Sequence, residues 1–163
     1  MKSKTQKIVI SALIAAIYAA LTLSLAFISY GQIQFRVAEA LTILPFFSSF
    51  SIAGLFVGCL VANLLSPIGV LDIVVGSAAT LIAAIITYYI GKSNLKFKKY
   101  LAPLPAVIVN AVVIGMLISY TSNIPFLLPA FQVGFGELVC CYALGMPLLM
   151  LIEKNKNIKK YLQ

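Results

Sequence analysis

The feature that most constrains this chain is a series of long apolar runs that carry at most one charge each. The runs cover residues 8–29, 37–65, 70–91, 101–121 and 126–152. A helix of about 20 apolar residues is long enough to cross the hydrocarbon core of a bilayer. Charged residues make up 10% of the chain, against about 25% in a typical soluble domain. The sequence therefore predicts an all-α integral membrane protein with a single transmembrane domain, residues 1–163.

The basic residues indicate how the helices cross the membrane. The formal net charge is +8, yet every lysine lies in a short cluster at the end of an apolar run. Such clusters are typical of cytoplasmic segments, whereas a nucleic-acid-binding protein spreads its basic residues over a water-facing surface. The three clusters are Lys2, Lys4 and Lys7; Lys92, Lys96, Lys98 and Lys99; and Lys154, Lys156, Lys159 and Lys160.

The stretch 37–65 could form one long span or two short ones. Only a reversal at "PFFSSFS", residues 45–51, brings all three lysine clusters to the same side. Pro45 interrupts a helix, and the serines after it can cap a new one. Each arm would have about 14 residues and be roughly 21 Å long, so a re-entrant hairpin remains an alternative. We predict six transmembrane helices with both termini in the cytoplasm, at about 8–29, 37–50, 52–65, 70–91, 101–121 and 131–152.

With that topology, most polar side chains fall in the outer half of the bundle. Every acid except Glu153 does so. Ionisable groups within a membrane are costly and usually functional, and a polar region open to one side is typical of a receptor and not of a channel. The sequence therefore predicts a site for a solute that arrives from outside. The candidate residues are Gln32, Gln34, Arg36, Glu39, Asn63, Asp72, Asn110, Gln132 and Glu137.

Among the acids, Glu137 is the strongest candidate. Gly134, Cys141 and Gly145 share its helix face, and small residues indicate a helix contact or a cavity and not a lipid-facing surface. The other charged residues have simpler alternatives. Arg36 and Glu39 could pair with each other at i,i+3 spacing, and Asp72 could act only as a favourable charge at a helix N-terminus.

The first span carries two rows of small residues at four-residue spacing. One row is Ser11, Ala15 and Ala19, and the other is Ala12, Ala16 and Ala20. Small residues at this spacing allow a second helix to approach closely. Packing inside the protein is one interpretation, and a docking surface for a partner protein is the other.

Several motifs of enzymes and energy-converting proteins are missing from the sequence. It contains no histidine, no phosphate-binding G-x-x-x-x-G-K-[ST] loop and no G-x-S-x-G. Cys59, Cys140 and Cys141 lie in apolar runs without metal-ligand spacing and are interpreted as small buried residues. We therefore expect a protein that is not an enzyme and has no cofactor of its own. If it pumps a solute, the energy comes from a partner or an ion gradient.

Four long stretches resemble one known family. They are "YGQIQFRVAEALTILPFF" (30–47), "AGLFVGCLVANLLSPIGVLDIVVGSAATLIAA" (53–84), "LAPLPAVIVNAVVIG" (101–115) and "VGFGELVCCYALGMPLL" (133–149). They resemble the QueT family, whose members are substrate-binding S components of energy-coupling factor transporters and are linked to uptake of queuosine precursors. The resemblance implies the six-helix S-component fold in the membrane of a bacterial cell.

The resemblance also implies partners. An S component works with a transmembrane coupling subunit and two cytoplasmic ATPases, so ATP would be used by those partners. In such proteins, small residues of the first helix dock the coupling subunit. This role would fall to Ala12, Ala16 and Ala20, with Ser11, Ala15 and Ala19 beside them.

A 7-deazaguanine solute suggests roles for the candidate residues. Its guanine edge presents two adjacent donors, which one carboxylate accepts together; Glu137 is the first choice and Glu39 the second. Asn110 and Gln132 can bind the O6 and the ring nitrogen, and Asp72 or Glu39 can hold the cation of an aminomethyl form. Phe35, Tyr120 and Phe131 can stack on the base. The alternatives are an S component for another vitamin-like solute, a self-sufficient small secondary transporter and a purely structural membrane subunit.

Overall fold

The structure is a computed structural model that describes residues 3–31 and 33–162. Within those residues all regular structure is helical. Lys2 and Gln32, which the sequence placed in the first lysine cluster and among the outer amides, lie outside the described residues. The prediction of an all-helical protein is confirmed.

Six principal helices are found in the described part of the chain, and they are numbered first to sixth below. Short helical turns also occur at Ala26–Ser29 and Lys98–Leu101, and a C-terminal helix covers Lys156–Leu162. The second helix is a 3₁₀ helix, and π turns begin the fourth helix and interrupt the sixth. The bounds are Lys4–Ser24, Val37–Phe46, Phe50–Asn63, Asp72–Lys92, Leu104–Ser122 and Leu127–Lys154.

Length and composition separate these helices into two groups. In the described residues, four are long and apolar enough to cross a membrane: the first, the fourth, the sixth, and the fifth together with the turn before it. The second and third are also apolar but have 10 and 14 residues. At about 2.0 Å per residue for a 3₁₀ helix and 1.5 Å for an α-helix, each is roughly 20 Å long.

Contacts between the helices give their directions. Arg36 pairs with Asp72 at one end of the second and fourth helices, and Phe46 lies against Gly91 at the other end, so these two run parallel. The third helix runs antiparallel to the fourth, because the Asn63 side chain bonds the backbone of Asp72. The chain therefore reverses between the second and third helices, within the "PFFSSFS" stretch.

The remaining helices follow the same alternation. The sixth runs parallel to the second, since Gly136 lies against Gln34 and Gly145 against Ala40. Lys99 and Glu153 form an ion pair of 2.8 Å where the fifth helix begins and the sixth ends. This side of the bundle carries the described lysines and is called the lysine end. The side that carries Arg36 and Asp72 is called the opposite end.

Small residues let the first and third helices pack closely. A Cβ atom at Gly54 would lie 2.6 Å from the Ser11 carbonyl oxygen, and one at Gly58 would lie 2.8 Å from that of Ala15. The Ser11 hydroxyl donates to the Phe50 carbonyl at 2.7 Å. Backbone contact of this kind requires glycine at both positions of the third helix.

The second helix lies at the centre of the core. A 3₁₀ helix has three residues per turn, so side chains at i and i+3 are aligned in a row. Here that row contains Arg36, just before the helix, followed by Glu39 and Thr42, all of them buried. Runs of this length are uncommon for a 3₁₀ helix. The 3₁₀ geometry therefore aligns these three polar side chains in a row that runs parallel to the fourth helix.

Candidate functional site

A buried ion pair lies at the opposite end of the bundle. One terminal nitrogen of Arg36 donates to Asp72 Oδ2 at 3.2 Å, and both side chains are at most 2% exposed. The Ser66 hydroxyl donates to the same carboxylate oxygen at 2.5 Å. The Tyr30 ring lies 5.5 Å from the guanidinium carbon of Arg36. The possibility that Arg36 pairs with Glu39 is therefore not realised, since the hydrogen bond from Arg36 goes to Asp72.

Glu39 lies one turn further into the core and is fully buried. Its Oε1 accepts hydrogen bonds from the Tyr18 hydroxyl and, at 3.3 Å, from the Thr80 hydroxyl. Its Oε2 has no hydrogen-bond partner among the described residues. The first, second and fourth helices thus meet at one carboxylate, and both hydroxyl donors are neutral.

Glu137 comes from the sixth helix and is 1% exposed. Its Oε1 accepts from the Asn110 amide nitrogen at 3.1 Å, and its Oε2 from the Cys141 thiol at 3.6 Å. The Cys141 thiol also lies 3.6 Å from the Glu39 carbonyl oxygen. The two glutamates are therefore neighbours, and their carboxylates interact electrostatically.

The backbone is irregular on both sides of these acids. The fourth helix starts with the π turn Asp72–Gly76, and the π segment Val139–Gly145 follows Glu137 directly. Such insertions are frequent at functional sites because they redirect side chains within a helix. We call the buried residues of this region the acid cluster. Its members are Tyr18, Arg36, Glu39, Asn63, Ser66, Asp72, Thr80, Asn110, Glu137 and Cys141.

A cavity of about 470 Å³ lies at the opposite end, and none of the residues of the acid cluster is among those that line it. Known ligand pockets have volumes of about 300–1,000 Å³. Two of its lining residues connect it to the cluster. Tyr30 lies over Arg36, and the backbone oxygen of Gln34 lies against Gly136, next to Glu137. Other lining residues are Pro67, Ile68, Ile118, Leu128 and Gln132.

A sequence model described as "QueT transporter" matches residues 8–154, which is most of the chain and includes the whole acid cluster. The chain belongs to the QueT transporter family. The resemblance noted from the sequence is thereby confirmed, and the family is one of transporters.

One curated relative in this family is the "Queuosine precursor transporter QueT" of Lactococcus lactis subsp. cremoris. It is 46% identical over 83 residues, which is 50% of this chain and 48% of the relative. The aligned part therefore spans about half of each protein. No solved structure matches the chain.

The structure brings together most of the residues predicted for the site of this QueT family member. Arg36, Glu39, Asp72, Asn110 and Glu137 all belong to the acid cluster. Gln34 and Gln132 line the cavity.

The three aromatic residues predicted to stack on a base are distributed differently. Phe35 is half-buried and contacts Phe135 edge to face, with ring centroids 6.3 Å apart. Tyr120 is 79% exposed and Phe131 is 74% exposed, and neither is among the residues that line the cavity. Of the three, only Phe35, which directly precedes Arg36, is not mostly exposed.

Sequence reasoning missed several members of the acid cluster. Tyr18, Ser66 and Thr80 each donate a hydroxyl hydrogen bond to a buried carboxylate. Single hydroxyl-bearing residues are common in apolar helices, so the presence of a serine, threonine or tyrosine in the sequence does not by itself indicate a functional site. Cys141 did carry a signal, because it lies four residues after Glu137 on the same helix face.

The two predicted docking rows of the first helix have different environments. Ser11 and Ala15 lie against the glycines of the third helix, and Ala19 is buried, so this row takes part in internal packing. The other row, Ala12, Ala16 and Ala20, is exposed along its length.

The acid cluster can recognise hydrogen-bond donors and positive charge. Carboxylates accept only, and the Asn110 carboxamide offers one acceptor as well as its donors. In a site of low polarity each such contact is stronger than in water. Among the described residues, no group of three or more histidine, cysteine or acidic side chains is placed to hold a metal ion.

Proposed function

We propose that this protein is the solute-capture subunit for uptake of a queuosine precursor, a base of the 7-deazaguanine type. The observation that carries this proposal is the buried Glu137–Asn110 pair in a member of the QueT transporter family. The name of the Lactococcus relative supports the solute.

The chemistry of the pair suits a guanine edge. The edge has an N–H and an exocyclic amine side by side, and the Glu137 carboxylate accepts from both when it presents its two oxygens. Asn110, which contacts the same carboxylate, would donate to the neighbouring O6 of the base. A base with an adenine edge has no adjacent donor pair, so the site would reject it by leaving a buried carboxylate unsatisfied.

Ligand-dependent thermal stabilisation of the detergent-solubilised protein tests this proposal. We expect 7-deazaguanine and guanine to raise the melting temperature and adenine to leave it unchanged. Glu137→Gln should weaken deazaguanine binding at least tenfold. Glu153→Gln is the matched control, because it alters an acid in the surface ion pair with Lys99 at the lysine end and should bind like the wild type. Undiminished binding by Glu137→Gln would remove Glu137 from the site.

For topology, we propose that all six principal helices span the membrane of a bacterial cell, with the lysine end and both termini in the cytoplasm. The positive-inside rule and the alternating helix directions support this arrangement. It predicts that a cysteine introduced at Ser49, an exposed residue of the turn between the second and third helices, is labelled only from the cytoplasm. The matched position is Ser122, exposed at the opposite end. If residues 37–65 form a re-entrant hairpin instead, a cysteine at Ser49 will resist cytoplasmic labelling.

For energy coupling, we propose that the protein assembles with a transmembrane coupling subunit and two ATPases, so that ATP is used by those partners and this chain needs no cofactor. The exposed row Ala12, Ala16 and Ala20 is the docking surface in this proposal. Ala16→Leu should reduce co-purification with the partners while deazaguanine binding stays unchanged. Uptake into liposomes that lack the partners would contradict the proposal.

A further inference from the structure

The exposed charge of this protein lies at the lysine end and is almost entirely positive. Of the four acids in the chain, Glu39, Asp72 and Glu137 are buried in the acid cluster. The fourth, Glu153, lies at the lysine end and already pairs with Lys99 at 2.8 Å. The other described lysines form no ion pair with a described residue. This end therefore has a surplus of positive charge that no side chain in the described part of the chain compensates.

Part of this surplus surrounds a groove on the surface. The groove has a volume of about 480 Å³ and lies where the sixth helix ends and the C-terminal helix begins. Its polar lining comes from Lys154, Asn155, Lys156 and Asn157, and its apolar lining from Leu151 and Ile158. None of these residues is acidic. The groove can therefore offer cationic and amide donors together with contact to hydrocarbon.

The lining changes from apolar to cationic along one helix face. Leu151 belongs to the apolar sixth helix and is 63% exposed. Lys154 follows it at i+3 on the same face and is the last residue of that helix. In the membrane arrangement proposed above, a phospholipid has the same order, with its acyl chains in the hydrocarbon and its phosphate at the edge. Leu151 then lies beside the chains and Lys154 beside the phosphate.

The donors of the groove are side chains and not the backbone at the start of the short C-terminal helix. Asn155 Oδ1 accepts from the backbone nitrogens of Asn157 at 3.0 Å and Ile158 at 3.3 Å, so these N–H groups are already used. The same two bonds fix the Asn155 carboxamide. Its amide nitrogen and the ammonium groups of Lys154 and Lys156 donate to no described residue. Three donor groups are therefore free for an acceptor from outside the described part of the chain.

We infer that this groove binds the headgroup of an anionic phospholipid from the leaflet that surrounds the lysine end. The two lysines of the groove attract the negative charge and donate to the phosphate, and the Asn155 amide adds a further donor. Leu151 and Ile158 contact the first methylene groups of the acyl chains, which removes apolar surface from water. The site is separate from the acid cluster, so the inference does not depend on which solute the protein captures.

Two phospholipids with identical acyl chains separate charge from contact with hydrocarbon. Dimyristoylphosphatidylglycerol carries a net negative charge, whereas dimyristoylphosphatidylcholine carries no net charge. Native mass spectrometry of the full chain in a neutral detergent measures the affinity for the first bound molecule of each lipid. We expect the wild type to bind the phosphatidylglycerol at least about fivefold more tightly than the phosphatidylcholine.

Two double variants that remove the same amount of charge test the location. Lys154→Gln/Lys156→Gln removes both cations of the groove, so the affinities for the two lipids should come within about twofold of each other. Lys96→Gln/Lys160→Gln removes two lysines of the same end that do not line the groove, and it should keep the wild-type preference. All four side chains are exposed, so both variants should fold, and their melting temperatures check this.

Each outcome supports or overturns the inference. Equal affinities for the two lipids in the wild type overturn it, and this result does not depend on any variant. A full preference in Lys154→Gln/Lys156→Gln also overturns it. If both double variants lose the preference equally, the lysine end attracts anionic lipid through its overall charge, and the groove is not a site.

A competitor distinguishes a lipid from a free phosphate compound. Glycerol phosphate has the anionic group of the phosphatidylglycerol without the acyl chains. At an equal concentration it should leave the lipid bound, because it lacks the contacts with Leu151 and Ile158. Displacement of the lipid would identify a site for free phosphate compounds and overturn the lipid assignment. None of these results affects the proposed solute capture, which stabilisation by 7-deazaguanine tests separately.

Discussion

Two acidic regions lie within the same buried core and differ in how their charge is compensated. At the opposite end, Asp72 is neutralised by Arg36 and held by Ser66. One turn deeper, Glu39 and Glu137 receive hydrogen bonds from hydroxyl, amide and thiol groups, none of which is charged. The charges of the first region balance each other, although Asp72 Oδ1 and Arg36 Nε have no hydrogen-bond partner among the described residues. In the second region no charged group donates a hydrogen bond to either glutamate.

This difference indicates a division of labour. An ion pair of balanced charge fixes the second helix to the fourth, close to the cavity, and so holds the row of polar residues in place. A pair of incompletely compensated acids binds donors or cations well, because a ligand replaces the interactions with water that were lost on burial. Changes in the first region should therefore affect stability, and changes in the second should affect binding.

The largest effect is expected for Arg36→Leu. It leaves Asp72 buried without its cation and removes the positive charge nearest Glu39, so we expect a loss of about 3–5 kcal/mol in the free energy of unfolding. A strongly lowered melting temperature of the detergent-solubilised protein would report this loss.

The double variant Arg36→Leu/Asp72→Leu serves as the control. Removing both charges leaves no uncompensated ion at this position, so more than half of the lost stability should return. If the double variant is no more stable than the single one, the Arg36–Asp72 interaction is not the main cause of the effect.

Ser66→Ala should have the next largest effect. It removes a hydroxyl that donates to the charged Asp72 carboxylate at 2.5 Å, and hydrogen bonds to charged groups contribute about 1.5–3 kcal/mol. The melting temperature should fall, while the affinity for deazaguanine changes less than twofold. An affinity loss larger than the stability loss would place Asp72 in the ligand site and blur the division between the two regions.

Much of the fold could be predicted from the sequence because hydrocarbon imposes strong rules. Long apolar runs must form helices there, and lysine clusters are driven to one side. The winding of the second helix could not be predicted in this way. Pro45 was expected to interrupt the helix, and the helix does end one residue later, at Phe46. Apolarity alone does not distinguish a 3₁₀ helix from an α-helix.

The site was predictable in its membership but not in its pairing. The rarity of charge in the runs was enough to select Arg36, Glu39, Asp72 and Glu137. Which acidic side chain forms the ion pair with Arg36 depends on the rotation of each helix about its axis. A shift of one residue along an α-helix turns a side chain by about 100°. The sequence therefore offered the i,i+3 pairing of Arg36 with Glu39 only as an alternative, and in the structure Arg36 pairs with Asp72.

Thr80→Val tests the same contrast at Glu39, where we expect a smaller loss of stability than for Ser66→Ala. The Thr80 hydroxyl lies 3.3 Å from Glu39 Oε1 but also 3.2 Å from the Cys59 sulfur and 3.3 Å from the Gly76 carbonyl oxygen. A hydroxyl with one proton shared among three acceptors contributes little to any of them. We expect a stability loss of about 0.5–1 kcal/mol, clearly less than for Ser66→Ala. A loss equal to that of Ser66→Ala would show that Glu39 is held as firmly as Asp72.

Glu137→Gln should have the smallest effect on the stability of the ligand-free protein. Whether the variant gains or loses stability shows whether Glu137 differs from Asp72. The variant replaces a buried carboxylate, whose hydrogen-bond donors are neutral, by an uncharged group of the same shape that still accepts from Asn110. Because the desolvation cost of the charge disappears, we expect the free energy of unfolding to stay within about 1 kcal/mol of the wild type or to rise. Thermal unfolding of ligand-free protein measures this change. A large loss would mean that Glu137, like Asp72, is a structural acid, and the contrast between the two regions would then fail.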